Sequence, residues 1–247
     1  MSASAVFTAQ PSLLGSALRR SDHNQALWDA EYGQAQSIPS SLRPEPAHAL
    51  STILPNIPIA RGRLLDLGAG NGRHSFLFAS LGFEVTALDF SNAALGLVQA
   101  RAIHEPRLAR RITPIRHDLY DPLPFPDSRF DVVLDAYCLC HITNYPSHLT
   151  VLQSVRRVLR AGGVFVTIQL DSDDRYYKER LSRRVEGGFE SFDPINGFTK
   201  VHVDHVSYLT RYGMGFEHVA TRKVVFSDMV RGTTYARSVF GMVLRKA

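Results

Sequence analysis

Apolar and polar positions fall in blocks along this chain, and the blocks alternate between two lengths. RLLDLG (63–68) is a near-continuous apolar run; SFLFASLG (75–82) is a short apolar helix stopped by Gly82. FEVTALD (83–89) repeats the first pattern, and Ser91 stands where it caps a helix over NAALGLVQARAI (92–103). ITPIRHD (112–118) and FDVVLDAY (130–137) predict a third and a fourth strand. Pro146 and Ser147 open a helix with Leu149, Leu152, Val155 and Leu159 on one face; Gly162 and Gly163 are expected to end it before a fifth strand, VFVTIQL (164–170). Near-continuous apolar strands separated by helices predict a parallel sheet covered on both faces.

The rhythm breaks at both ends. Residues 1–21 contain no acid and predict a disordered tail, with a weak likeness to a transit peptide; residues 22–60 form an arm with helical patches at HNQALWDAEYGQ and around Ala47–Leu54. Residues 171–204 are polar, arginine-rich and dotted with aromatics, an insertion placed to act as a lid. A helix around HVDHVSYLTRYG (202–213) then leads to FEHVATRKVVFSD and TTYARSVFGMVLRK, which MVRG joins as a hairpin. The expected fold is α/β: a doubly wound, Rossmann-like, seven-stranded, mostly parallel sheet with an antiparallel C-terminal pair, in one domain over 22–247.

Composition adds little to that picture. The 247 residues are 45% hydrophobic and 21% charged, and no apolar run approaches the ~20 residues that span a bilayer. Two cysteines, Cys138 and Cys140, exclude a disulfide framework and suit a cytoplasmic protein. They and His141 raise the question of a metal, but no second cluster completes a zinc site, and no metal is expected. The charge of +5 comes from arginines concentrated in 101–117 and 175–184. Glutamates interrupt both segments, so solvated faces are the favoured reading over a nucleic-acid footprint.

The chemistry centres on RLLDLGAGNGRHS. Gly68, Gly70 and Gly72 occupy every second position after the first strand, where a doubly wound sheet binds its ligands. A dinucleotide fold wants G-x-G-x-x-G; here the spacing is G-x-G-x-G, and Asp66 lies two residues before it. A carboxylate there repels a pyrophosphate and suits an ammonium group, which favours an amino-acid-bearing nucleoside, S-adenosylmethionine. Asp89 ends the second strand, placed to accept hydrogen bonds from ribose hydroxyls. Asp118 and Leu119 end the third, placed to flank an adenine; a simple turn role for Asp118 is the alternative. Asp135 and Ala136 end the fourth, facing the methionine portion, unless Asp135 caps the loop that follows.

DLGAGNGRHS, ALDFS, HDL, FDVVLDAYCLCHI and LRAGGVF, in this order and spacing, resemble the motifs of class I S-adenosylmethionine-dependent methyltransferases. GNGRHSFLFASLGFEVTALDFSNAAL is similar to the tellurite-resistance and thiopurine-type members, and WDAEY and the ending VLRK add to that. The resemblance implies transfer of a methyl group to an N, O or S atom of a small molecule. It implies cofactor contacts from Tyr32, Asp66, Gly68, Ala69, Gly70, Gly72, Asp89, Phe90, Asp118, Leu119, Asp135 and Ala136. His141, after the fourth strand, is the candidate base, with loop orientation as the alternative. Trp28 and Tyr32 share a helix face; either they pin the arm to the domain or they cover the cofactor. The alternatives to a small-molecule enzyme are a tRNA or protein methyltransferase and a non-catalytic cofactor-binding module. Monomer and homodimer are both compatible with the sequence.

Overall fold

The computed structural model describes residues 24–33, 41–194, 196–230 and 232–247. The N-terminal tail and residues 34–40 of the arm lie outside the described residues. The first half of the chain holds helix α1 (24–33), α2 (His48–Ile53), β1 (Arg63–Leu67), α3 (Arg73–Ser80), β2 (Glu84–Asp89), α4 (Asn92–His104), α5 (Pro106–Ala109), β3 (Ile112–Arg116) and β4 (Phe130–Ala136). The second half holds α6 (Tyr145–Val158), β5 (Leu159–Leu170), α7 (Arg175–Lys178), β6 (Leu181–Val185), β7 (Gly188–Phe192), β8 (Thr199–His202), α8 (His205–Tyr212), β9 (Glu217–Val230) and β10 (Thr233–Arg245).

Seven strands form one sheet in the order β3-β2-β1-β4-β5-β10-β9. The first five run parallel, and β10 and β9 are antiparallel additions. Strand order reverses between β1 and β4, which opens a crevice at their carboxyl ends. Alternation along the central strands feeds two cores. Leu64, Val132 and Leu134 point to one face with Phe78, Leu50 and Ile53. Leu65, Leu67 and Val133 point to the other, where Val151, Val155 and Tyr208 cover them. Burial on both sides explains why these strands read as unbroken apolar runs.

Local rules set the helix starts. Ser91 Oγ accepts from Ala94 N at the head of α4, Asn144 does so from Ser147 N for α6, and Asp204 from Ser207 N for α8. Two expectations fail here. Gly162 and Gly163 do not end α6, which stops at Val158; they lie inside β5. Their backbones bond to the chain's end, Gly162 N to Lys246 O and Lys246 N to Gly163 O, and a Cβ on Gly163 would stand 2.9 Å from Arg160 O. The inward face of α6 is also rotated, with His148, Val151, Leu152, Val155 and Val158 buried and Leu149 only half-buried.

Residues 171–204 form α7 and a second, three-stranded antiparallel sheet, β6-β7-β8. No strand was legible there because β6 leaves its middle residues exposed and reads as a polar run. The small sheet is tied to the large one by Val203 N to Leu170 O and Ser172 N to Val203 O. Among the described residues no helix is long and apolar enough to cross a membrane.

Candidate functional site

The turn between β1 and α3 is left-handed at all three glycines, with φ of +61° at Gly68, +57° at Gly70 and +79° at Gly72. Space forbids side chains as well. A Cβ on Gly68 would lie 2.5 Å from Cys138 Sγ, and one on Gly70 2.5 Å from Tyr32 Oη. Asp89 fixes the turn to the end of β2: its carboxylate accepts from Gly70 N and from Ser91 N, each at 2.9 Å. Burial pushes its pKa up against those N–H donors.

A cavity of about 540 Å³ opens above this turn. Tyr32, Gly68, Ala69, Gly70, Asp89, Phe90, Asp118, Leu119, Ala136 and His141 all line it, so ten expected site residues converge on one space. Asp118 Oδ1 also accepts from Tyr120 N at 3.0 Å, so it closes a turn while facing the cavity.

Asp66, Gly72 and Asp135, expected beside a cofactor, are not among the residues that line the cavity. Gly72 is the N-cap of α3, beneath the turn. Asp66 is buried with Oδ2 accepting from Ser75 Oγ at 2.6 Å, and its Oδ1 has no partner among the described residues. Burial, only partly offset by Ser75, raises its pKa to about 7. Asp135 is fully buried and caps the loop after β4. Its Oδ1 accepts from Cys138 N and Leu139 N at 3.0 Å, and its Oδ2 from Thr167 Oγ1 and Gln169 Nε2. Burial raises its pKa to about 7 also, against all four donors.

The loop that Asp135 holds begins at Tyr137, a non-glycine residue with φ of +66°. Such strain persists only where neighbours over-determine it; here Tyr137 N donates to Ile168 O at 2.9 Å. Cys138 and Cys140 lie in the turn that follows rather than on a strand, both free. His141 closes that turn, and burial drives its pKa well below the ordinary histidine value.

Trp28 roofs the cavity. Its ring stacks on Tyr32 at 5.4 Å, meets His141 edge-on at 5.1 Å and touches Phe198 at 4.6 Å. Beyond it the far chamber is lined by side chains that no local motif announces. Arg43 Nη2 pairs with Asp228 at 2.6 Å, Arg237 bridges Asp228 and Asp174, and Lys200 and Tyr177 come from 171–204. Arg43 and Asp228 are 185 residues apart, a pairing that only the assembled fold reveals. Arg73 was the detectable omission, because it directly follows Gly72 at the start of α3. It lines the cavity, and burial lowers its pKa.

Residues 65–167 match the family model of a methyltransferase domain. Over those residues the chain carries a methyltransferase domain, and its fold is that of class I S-adenosylmethionine-dependent methyltransferases. It is 31% identical over 172 residues to the ubiquinone/menaquinone biosynthesis C-methyltransferase UbiE of Coxiella burnetii, a match covering 63% of this chain and 66% of that one. It is 31% identical over 113 residues to the demethylmenaquinone methyltransferase of Tropheryma whipplei, covering 46% of this chain and 44% of the relative. The chain thus spans less than two thirds of the length of these relatives. In fold it is similar to the 1,6-didemethyltoxoflavin-N1-methyltransferase of Burkholderia thailandensis, solved with 1,6-didemethyltoxoflavin and S-adenosylhomocysteine. That match has a TM-score of 0.60 and 21% identity, and covers 99% of this chain and 93% of the other.

Proposed function

We propose that the protein transfers the methyl group of S-adenosylmethionine to a small planar acceptor held in the far chamber. The observation that carries this reading is one continuous cavity lined by the glycine turn, Cys138, Tyr177 and Lys200. Its volume falls in the range of small-molecule sites, roughly 300–1,000 Å³.

In this reading the nucleoside lies along Asp89, Phe90, Asp118 and Leu119. A carboxylate offers about four lone-pair sites; Asp89 meets the backbone N–H groups of Gly70, Ser91 and Phe90, and its remaining acceptor capacity serves a ribose hydroxyl. Gly68, Ala69, Gly70 and Ala136 let the methionine portion approach the backbone, with Tyr32 over it. Arg73 takes the cofactor's carboxylate. Asp66, Gly72 and Asp135 shape the turn and the loop without touching the ligand. His141 positions rather than deprotonates, since its depressed basicity and its place between Trp28 and Phe198 suit a packed neutral ring.

Methyl transfer asks mainly for alignment of nucleophile, methyl and sulfur, so no strong base is required. The names of the relatives add carbon to the N, O and S acceptors expected above. The planar heterocycle bound by the Burkholderia enzyme supports a flat acceptor. The test is incubation with methyl-labelled cofactor and a deproteinised cell extract, with total tRNA in parallel. Label in a small molecule is the expected result; label in tRNA alone overturns the reading.

A further inference from the structure

Lys200 is a buried cation for which methyl transfer has no stated use. It lies on β8, is 3% exposed and lines the cavity. Its ammonium makes one hydrogen bond among the described residues, to Tyr177 Oη at 2.8 Å, and no ion pair. The other far-chamber cations, Arg43 and Arg237, are both paired with carboxylates. A buried charge without a counter-charge is costly, and such groups are normally paired.

One neighbouring carboxylate, Asp193, acts on the ammonium, and it does so without a hydrogen bond or a salt bridge to it. Cys140 and His141 face Lys200 from the turn after β4, His202 from its own strand, and Asp193 from the end of β7. Burial raises the Cys140 thiol to about 12 and lowers His202 to about 3, so both are neutral near pH 7. Asp193 acts on Lys200 at longer range, its Oδ2 accepting from Asn196 Nδ2 at 3.0 Å. Burial works against the ammonium, while Tyr177 and Asp193 work for it, and the balance keeps Lys200 protonated.

Tyr177 is held in place rather than left free. Asp174 accepts from Tyr176 N and Tyr177 N, and Arg237 locks Asp174 in turn. The Tyr177 hydroxyl accepts from Lys200 and donates to no protein acceptor among the described residues. The pair therefore presents two ammonium N–H groups and one O–H with no protein partner.

We propose that Lys200 and Tyr177 form an oxyanion subsite, which holds the ionised hydroxyl or carboxylate of a planar acceptor. The ring lies among Trp28, His141 and Phe226, which line the same cavity. This inference rests on the methyl-transfer reading only for calling the bound molecule an acceptor.

The test uses the full chain loaded with S-adenosylhomocysteine and three probes: 4-nitrophenol, benzoate and the neutral nitrobenzene. Just below the solution pKa of 4-nitrophenol, binding should raise the phenolate absorbance, and both anions should bind better than nitrobenzene. Tighter binding of one anion over the other assigns the group to a hydroxyl or a carboxylate. Lys200→Met should weaken both anions about tenfold, as loss of a charge-assisted bond does, and leave S-adenosylhomocysteine affinity unchanged. Tyr177→Phe should cost about threefold, as loss of a neutral bond does, and keeps the test open if the lysine variant does not fold. Nitrobenzene binding as well as 4-nitrophenolate, or anion affinity unaffected in both variants, overturns the subsite. A protein that binds 4-nitrophenolate through Lys200 but not S-adenosylhomocysteine upholds the subsite and sinks the methyl-transfer reading.

Discussion

At the β1–α3 end of the cavity the wall is backbone: glycines in left-handed conformations, peptide N–H groups on Asp89, and two buried carboxylates beneath. At the far end it is side chain, with Lys200, Tyr177, Arg237, Asp228, Phe226 and His48 reaching in from β8, α7, β10 and β9 late in the chain and from the arm. A backbone wall recognises a ligand whose shape never changes. A side-chain wall can be rebuilt, residue by residue, around a new one. The two ends therefore report different things, the first a cofactor class and the second a particular acceptor.

That contrast can be broken most severely through Asp135, whose four hydrogen bonds hold the loop between the two ends. Asp135→Ala should destabilise the fold by about 3 kcal/mol, because several buried donors lose their acceptor at once; a urea midpoint measures it. Asp135 and Asp66 each have a folded pKa of about 7 against an ordinary 3.8. The native state thus holds these protons more tightly than the unfolded chain does. Their contribution to stability is fully present below about pH 4 and is lost as pH rises through about 7. Asp135→Asn should remove roughly half of that decline; an unchanged slope means that the carboxylate is ionised in the fold.

Gly70→Ala tests the backbone end alone. It meets both an unfavourable φ and the Tyr32 hydroxyl, and should weaken S-adenosylhomocysteine about a hundredfold by calorimetry, or ~3 kcal/mol. Adding Tyr32→Phe should restore the part due to the clash and none of the part due to φ. Trp28→Ala removes three ring contacts that tie the ends together, for about 2 kcal/mol, so cofactor and acceptor should both weaken. If only one does, the roof belongs to that end. Arg73→Met is the mildest change, about tenfold in cofactor affinity from one charge-assisted bond. Equal affinity in that variant would leave the cofactor's carboxylate to backbone alone.

Legibility in the sequence followed the same division. The glycine turn, Asp89 and the Ser91 cap were readable because each is set by neighbours within a few residues. Gly162 and Gly163 were misread as a helix stop because their partner, Lys246, lies at the far end of the chain. Asp66 and Asp135 lie on the strands expected for them, and neither lines the cavity. Strand position fixes which face a side chain takes, and only packing decides whether Ser75 or a ligand meets it there. Lys200 and Arg237 were invisible for a related reason. Each is an ordinary basic residue in a strand until Tyr177 and Asp174 arrive beside it.

Trp28 is the only tryptophan in the 247 residues, and it sits where helix α1, the turn after β4 and the 171–204 segment meet. The protein thus contains its own optical gauge. Excited near 295 nm, as is usual for indole, essentially all the emission comes from one ring, and that ring changes surroundings only when the roof does. Its brightness and colour can follow loading and emptying of the cavity in real time, without a dye, a tag or any knowledge of the acceptor.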